Sequence, residues 1–264
     1  MKTGISTASL FGRYYSEEAL EFFDQNGVDT AEVFLESFTE YDPAFSSVLN
    51  AKKGKVDVHS VHTLTTQFEP QLYSLNDRAK EDSFALLEKT MTTAENIGAK
   101  YYTFHGQARI KKTPIKIDFD RTGKITNDII EVCSRHKVKL AYENVHWSYY
   151  NYIGFFNELR KRTNGLKATL DIKQARQSDI FYGEFIKEMK GDIVTVHLSD
   201  INSDGKMCLP GKGVTDFDDL FRRLYGEGFD GAFIIECYKN DFDKTSELLE
   251  SLDFINSLKD KIFK

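Results

Sequence analysis

Eight short runs rich in β-branched and aromatic residues recur along the chain, each followed by a longer stretch whose apolar residues have helical spacing. The runs are Thr3–Thr7, Asp29–Leu35, Val56–Val61, Lys100–His105, Val138–Glu143, Lys167–Asp171, Ile193–His197 and Ala232–Glu236. Strands that alternate with helices predict parallel pairing, because a parallel partner needs a long crossover. After the third run, Phe84, Leu87, Met91, Ala94 and Ile97 fall at steps of three or four and share one helical face, with Gly98 as the C-cap. After the seventh, Thr215 is the expected N-cap of a helix whose apolar stripe is Phe217, Leu220, Phe221 and Leu224, with Gly226 and Gly228 ending it. The last segment, Asp243–Leu258, repeats the pattern through Leu248, Leu252 and Ile255. Eight such units in 264 residues match an α/β fold of the (β/α)8 TIM barrel type, which runs to about 250 residues. An open doubly wound sheet would ordinarily carry a Gly-rich phosphate loop after its first strand, and STASLFGRYY has none. No linker or composition shift divides the chain, so residues 1–264 are expected to form one domain.

Four strand ends carry residues that are costly to bury. LAYE ends in Glu143, ATLD in Asp171, IVTVH in His197 and AFIIE in Glu236. An ionised carboxylate at the end of an apolar strand needs a partner or a metal. The four positions lie roughly one repeat apart, and a barrel brings the C-terminal ends of its strands to one face. Three carboxylates and an imidazole make an oxygen-rich set suited to one divalent ion: Mn, Co, Zn or Mg.

The pattern resembles the xylose isomerase-like barrel superfamily, whose members include sugar phosphate isomerase/epimerase-like proteins, ketose 3-epimerases, inosose dehydratases and endonuclease IV. Beyond the four candidate ligands, the resemblance rests on GAKYYTFHGQ at the fourth strand, ENVHW after the fifth, HLSD at the seventh and PGKGVTDF before the following helix. Two departures stand out. Relatives usually have DxxH at the sixth strand, whereas this chain reads DIKQ, with Gln174 in place of the His. Several sugar epimerases also carry an Arg soon after the strand-seven His, and here the first Arg after His197 is Arg222. The four-ligand set is intact.

The resemblance implies an isomerase or epimerase acting on a sugar, sugar phosphate or cyclitol ketone. The ion would polarise a carbonyl, and Glu143 and Glu236 would remove and return a proton next to it. Loss of a β-hydroxyl would instead make the protein a dehydratase on a keto-cyclitol. Further candidate substrate contacts are His62, His105, Gln174, Trp147 and Lys206. His59 and His62 would face opposite ways on a regular strand, and His62, nearer the strand end, is expected to face the site. Trp147 can stack on a sugar face or plug the core, and Tyr149, Tyr150 and Tyr152 beside it can cover the pocket or pack helices. Lys206 and Lys212 sit in the glycine-containing loop Leu198–Val214, where they can bind phosphate or simply be solvated.

The remaining features bound the alternatives. Net charge is −6 with 35 Lys and Arg against 41 Asp and Glu, which opposes a broad nucleic-acid surface. A zinc-dependent endonuclease IV-like hydrolase is the least favoured reading, since Gln174 removes one expected ligand and no His follows His197. A non-catalytic barrel binding a small ligand is the other alternative. Neither a signal-peptide pattern nor a membrane-length apolar run is apparent. Cys133, Cys208 and Cys237 are odd in number without CxxC spacing, so reduced thiols and a cytoplasmic location are expected. A homodimer is expected from the resemblance alone, as is a small-molecule partner.

Overall fold

The structure is a computed structural model that describes residues 1–109 and 116–263. Eight parallel strands close a barrel: β1 Lys2–Ser6, β2 Thr30–Leu35, β3 Asp57–Thr63, β4 Tyr101–Phe104, β5 Lys139–Glu143, β6 Lys167–Asp171, β7 Ile193–Leu198 and β8 Ala232–Ile235. Each strand pairs with its sequence neighbours, and β1 closes on β8 through Lys2–Ala232 to Ile5–Ile235. All eight expected strands are present, with ends that differ by no more than two residues. Gly4 lets β1 approach β2 closely, for a Cβ there would lie 2.1 Å from the Thr30 carbonyl oxygen.

The helices form the outer layer, with their apolar faces buried. Leu87, Met91, Ala94 and Ile97 of the helix Asp77–Ile97 are buried, and Gly98 caps it in the left-handed conformation at φ +83°. The helix Phe217–Gly226 buries Phe217, Leu220, Phe221 and Leu224. Its N-cap is Asp216 rather than Thr215: the Asp216 carboxylate accepts the Asp219 N–H, while the Thr215 N–H goes to Asp200. Asp200 is 2% exposed and accepts N–H groups of Ile201, Gly211, Gly213 and Thr215, which fixes the long loop after β7. A small antiparallel ribbon, Asp200–Ile201 with Met207–Cys208, stands in that loop. No helix among the described residues is long and apolar enough to cross a membrane.

Two register slips shape the barrel interior. Ala31 and Glu32 of β2 pair with Val58 and Ser60, so His59 is an extra residue on β3. Ala168 and Thr169 of β6 pair with Ile193 and Thr195, so Val194 is extra on β7. The first slip cancels the alternation that would have set His59 and His62 on opposite faces. His59 turns inward and its Nε2 reaches across the barrel to the Val194 carbonyl at 3.1 Å and Thr195 Oγ1 at 3.0 Å. His62 also faces inward, one layer nearer the mouth.

Burial lowers the His59 pKa to about 4, despite the opposing pull of Glu32. A histidine that ionises at its ordinary value in the unfolded chain but near 4 in the fold takes up a proton on unfolding. Its contribution is therefore complete above pH 6.5 and is lost as pH falls toward 4. Urea denaturation of His59→Gln, which keeps an N–H donor, should lose about 2 kcal/mol less stability between pH 7 and pH 5 than the wild type. Equal losses would mean that His59 is not a buried neutral group.

Candidate active site

β5 ends in Glu143, β6 ends in Asp171, β7 carries His197 as its penultimate residue, and Glu236 directly follows β8. Parallel strands of one barrel put these four side chains at the same mouth. Each is buried: Glu143 is 2% exposed, Asp171 1%, His197 1% and Glu236 8%. One candidate ligand atom from each lies within 4.8 Å of the others. His197 Nδ1 stands at the centre, 3.2 Å from Glu236 Oε2, 3.3 Å from Glu143 Oε1 and 3.9 Å from Asp171 Oδ2. The far nitrogen, Nε2, is 2.9 Å from Glu32 Oε1, with its N–H direction off that oxygen.

Each ligand candidate is held by its own local chemistry. Asp171 caps the helix Ile172–Gln177 by accepting the Gln174 N–H at 2.8 Å through Oδ1, which leaves Oδ2 for the cluster. Asn144, 1% exposed, clamps β5 to β6, accepting the Asp171 N–H at 2.8 Å and donating to the Asp171 carbonyl at 2.9 Å. Glu32 Oε2 accepts hydroxyls of Ser60 and Thr103 at 2.7 and 2.8 Å. His105 Nε2 meets Glu143 Oε2 at 3.2 Å, while its Nδ1 faces Thr65 Oγ1 at 2.7 Å and Glu69 Oε2 at 3.3 Å. Glu69 is fully buried and also accepts the Tyr102 hydroxyl and the N–H groups of His105 and Gly106.

Crowding sorts the charges. Burial raises the carboxyl pKa of Glu143, but hydrogen bonds from His105 and His197 outweigh it and hold the group near 2. Burial likewise works against Glu236, yet His197 and Lys173 leave it well below the usual carboxylate range. Asp171 goes the other way, to about 7: burial dominates and Glu143 and Glu236 add to it, against the opposing Lys173. His197 is pushed up by Glu32 and Glu236 against its burial, and His105 by Glu69 and Glu143. His62 is held down by burial, and neither of its ring nitrogens has a hydrogen-bond partner among the described residues.

Above the cluster opens a cavity of about 560 Å³. His62, His105, Glu143, Gln174 and Glu236 form its polar wall, and Phe11, Phe34, Leu64, Trp147 and Tyr238 its apolar side. Four of the five expected substrate contacts, His62, His105, Gln174 and Trp147, are therefore brought to it. Lys206 is not: it is an exposed residue in the turn of the small ribbon, and the cavity lysine is Lys239. Lys212 pairs with Glu250 at the surface. Of the neighbouring tyrosines, Tyr150 is core, packed on Phe155 and Phe156, and Tyr152 is a partly exposed neighbour of Phe155. Cys237 is buried against Ser9 and the Cys208 carbonyl, away from the cavity lining.

A family model described as xylose isomerase-like TIM barrel matches residues 20–258. The chain belongs to this family. No curated protein matches it by sequence. Among solved structures, a D-tagatose 3-epimerase-like protein superposes with a TM-score of 0.82 at 18% identity, covering 99% of this chain and 98% of that one. D-psicose 3-epimerase of Clostridium cellulolyticum H10, solved with D-tagatose, gives 0.80 at 16% identity, covering 98% and 99%. The IOLI protein, solved with a bound zinc, gives 0.77 at 15% identity, covering 99% and 98%. At these identities the likeness is one of fold.

Five residues of the site escaped the sequence reading: Glu32, Glu69, Asn144, His146 and Lys173. Glu32 sits in TAEVFL, where a carboxylate between apolar residues was a signal open to reading. Asn144 and His146 lie in the motif ENVHW itself. Asn144→Ala should remove two buried hydrogen bonds and strand the Asp171 N–H and carbonyl, lowering stability by about 2–3 kcal/mol in urea denaturation. An unchanged midpoint would show that the clamp adds nothing to the seating of Asp171.

Proposed function

We propose that the protein is an isomerase or epimerase of a sugar or cyclitol ketone, working by proton transfer next to a carbonyl with one divalent ion at the site. One observation supports this above the others: two ionised glutamates, Glu143 and Glu236, come from separated strands to one cavity and share a buried four-ligand cluster. The donor set fits a divalent ion. Three carboxylates surround one imidazole nitrogen at ligand-to-ligand spacing, and these anions have little water to neutralise them. Glu143, Asp171, His197 and Glu236 would hold the ion. When bound, it supplies the positive charge that polarises a carbonyl and offsets the negative charge on its oxygen as the adjacent C–H loses its proton.

The chain's own residues then have separable roles. Glu143 and Glu236 are both ionised at neutral pH and can accept a proton. His105, backed by Glu69, steadies Glu143 from the β4 side, and His197 steadies Glu236. Gln174 Oε1 accepts the His146 backbone N–H and lies 2.6 Å from His146 Nδ1, and its amide N–H groups, which have no acceptor among the described residues, can donate to a substrate oxygen. Trp147 and the apolar side of the cavity exclude water from the reacting carbon. Proton return to the opposite face would give epimerisation, and return to the neighbouring carbon would give isomerisation.

Two measurements test this. Elemental mass spectrometry after Mn²⁺ loading should find one equivalent of metal in the wild type and less than a tenth of that in Glu236→Ala. Retention in the variant would break the four-ligand assignment. In D2O, ketoses, their phosphates and inososes offered to the loaded enzyme should exchange a carbon-bound proton in one member of the panel, followed by NMR. Glu143→Gln and Glu236→Gln should each slow that exchange by about a thousandfold or more while keeping the wild-type fold by circular dichroism. Full exchange in either variant would end the two-glutamate mechanism.

A further inference from the structure

Lys173 stands where the local rules disfavour a lysine. It lies in the first turn of the helix Ile172–Gln177, where free backbone N–H groups repel a cation. Its side chain is 2% exposed, and Nζ has no hydrogen-bond partner among the described residues. Stripping water from an ammonium without pairing it is expensive. What offsets the cost is electrostatic: Nζ lies 4.0 Å from Asp171 Oδ2, 4.0 Å from Glu236 Oε2 and 4.1 Å from the centroid of the Tyr238 ring. Two of the three are candidate metal ligands, and the oxygens concerned are the ones that face His197 Nδ1. The lysine does not line the 560 Å³ cavity but a neighbouring one of about 380 Å³, walled also by Arg176, Asp200 and Thr215, so from the first cavity it stands behind the ligands.

We propose that Lys173 is a fixed internal counter-cation of the cluster, a positioning residue that loosens the hold of Asp171 and Glu236 on the divalent ion. The inference rests on the metal-dependent reading above. An ammonium and a divalent ion sharing the same two carboxylates repel each other at short range in a low-dielectric setting. The ion is bound less tightly, and ligands that give up part of their charge to Lys173 leave more of the ion's charge for a carbonyl oxygen.

The opposing predictions of a structural and a tuning role make the test direct. Mn²⁺ is titrated into metal-stripped wild type, Lys173→Met and Lys173→Arg, with free Mn²⁺ read by electron paramagnetic resonance. Lys173→Met should bind Mn²⁺ about tenfold more tightly, lose about tenfold or more in kcat on the substrate found in the exchange screen, and keep KM within about twofold. Lys173→Arg, which keeps the charge, should stay near the wild type in both respects. Equal or weaker Mn²⁺ binding in Lys173→Met overturns the proposal. Absence of Mn²⁺ binding in the wild type overturns the metal-dependent reading, and this proposal with it. If Lys173→Met does not fold, Lys173→Gln is read in its place. Failure of both neutral variants to fold beside a folded Lys173→Arg would make the charge a structural requirement and would also overturn the proposal.

Discussion

The mouth of the barrel depends on how ionisable side chains with almost no access to water are kept in charged form. Glu143, Asp171, His197 and Glu236 are each less than a tenth exposed and lie within a few ångströms of one another. Mutual repulsion and lost hydration would normally drive such carboxylates to protonate. Only Asp171 yields, with its pKa carried to about 7. Glu143 and Glu236 stay ionised because both share His197 and each has a second cationic or donor group, His105 for the first and Lys173 for the second.

Support for the cluster comes from a polar barrel interior that a generic barrel would fill with aliphatic side chains. Glu32, Ser60, Thr103 and Thr169 form a layer beneath it, joined by hydroxyl donors to the Glu32 carboxylate and a 3.4 Å Thr103–Thr169 contact. Glu32 faces the far nitrogen of His197, and Glu69 faces the far nitrogen of His105. Each imidazole is therefore set between two carboxylates, an arrangement that fixes ring orientation and raises basicity at the nitrogen facing the cluster. Below this layer the His59 bridge ties β3 to β7 across the barrel. Rigidity there matters because Glu143, Asp171, His197 and Glu236 come from the ends of four different strands.

Most of the fold was legible because it rests on periodicity. Every strand and the two strongest helical stripes follow from residue pattern alone, as does the convergence of Glu143, Asp171, His197 and Glu236. The errors have specific causes. Thr215 and Asp216 are both good N-caps, and the choice fell to Asp216 because the distant Asp200 claims the Thr215 N–H. The His59–His62 parity argument required a regular strand, and a register slip set by pairing with β2 broke it. Lys206 looked suitable by chain position, but the ribbon carries its tip away from the cavity. Lys173 was passed over because a lysine in a first helical turn normally points to solvent, and only tertiary placement beside Asp171 and Glu236 reveals it as buried.

Gln174 and Lys173 acquire their meaning together. Where the resemblance leads one to expect a histidine after the sixth strand, this chain has Gln174, an amide that lines the cavity, stays neutral at any pH and has its oxygen on His146. An imidazole at that position would add a titrating charge to a site already holding His62, His105 and His197. The adjacent lysine instead supplies a permanent charge, but from behind the carboxylates, where it does not line the cavity. In this arrangement the first turn of the helix Ile172–Gln177 presents a neutral amide to the cavity and a buried ammonium to Asp171 and Glu236. Two neighbouring residues thus face different ways, Gln174 toward the cavity and Lys173 toward the carboxylates, so the charge beside Asp171 and Glu236 does not come from a group that lines that cavity.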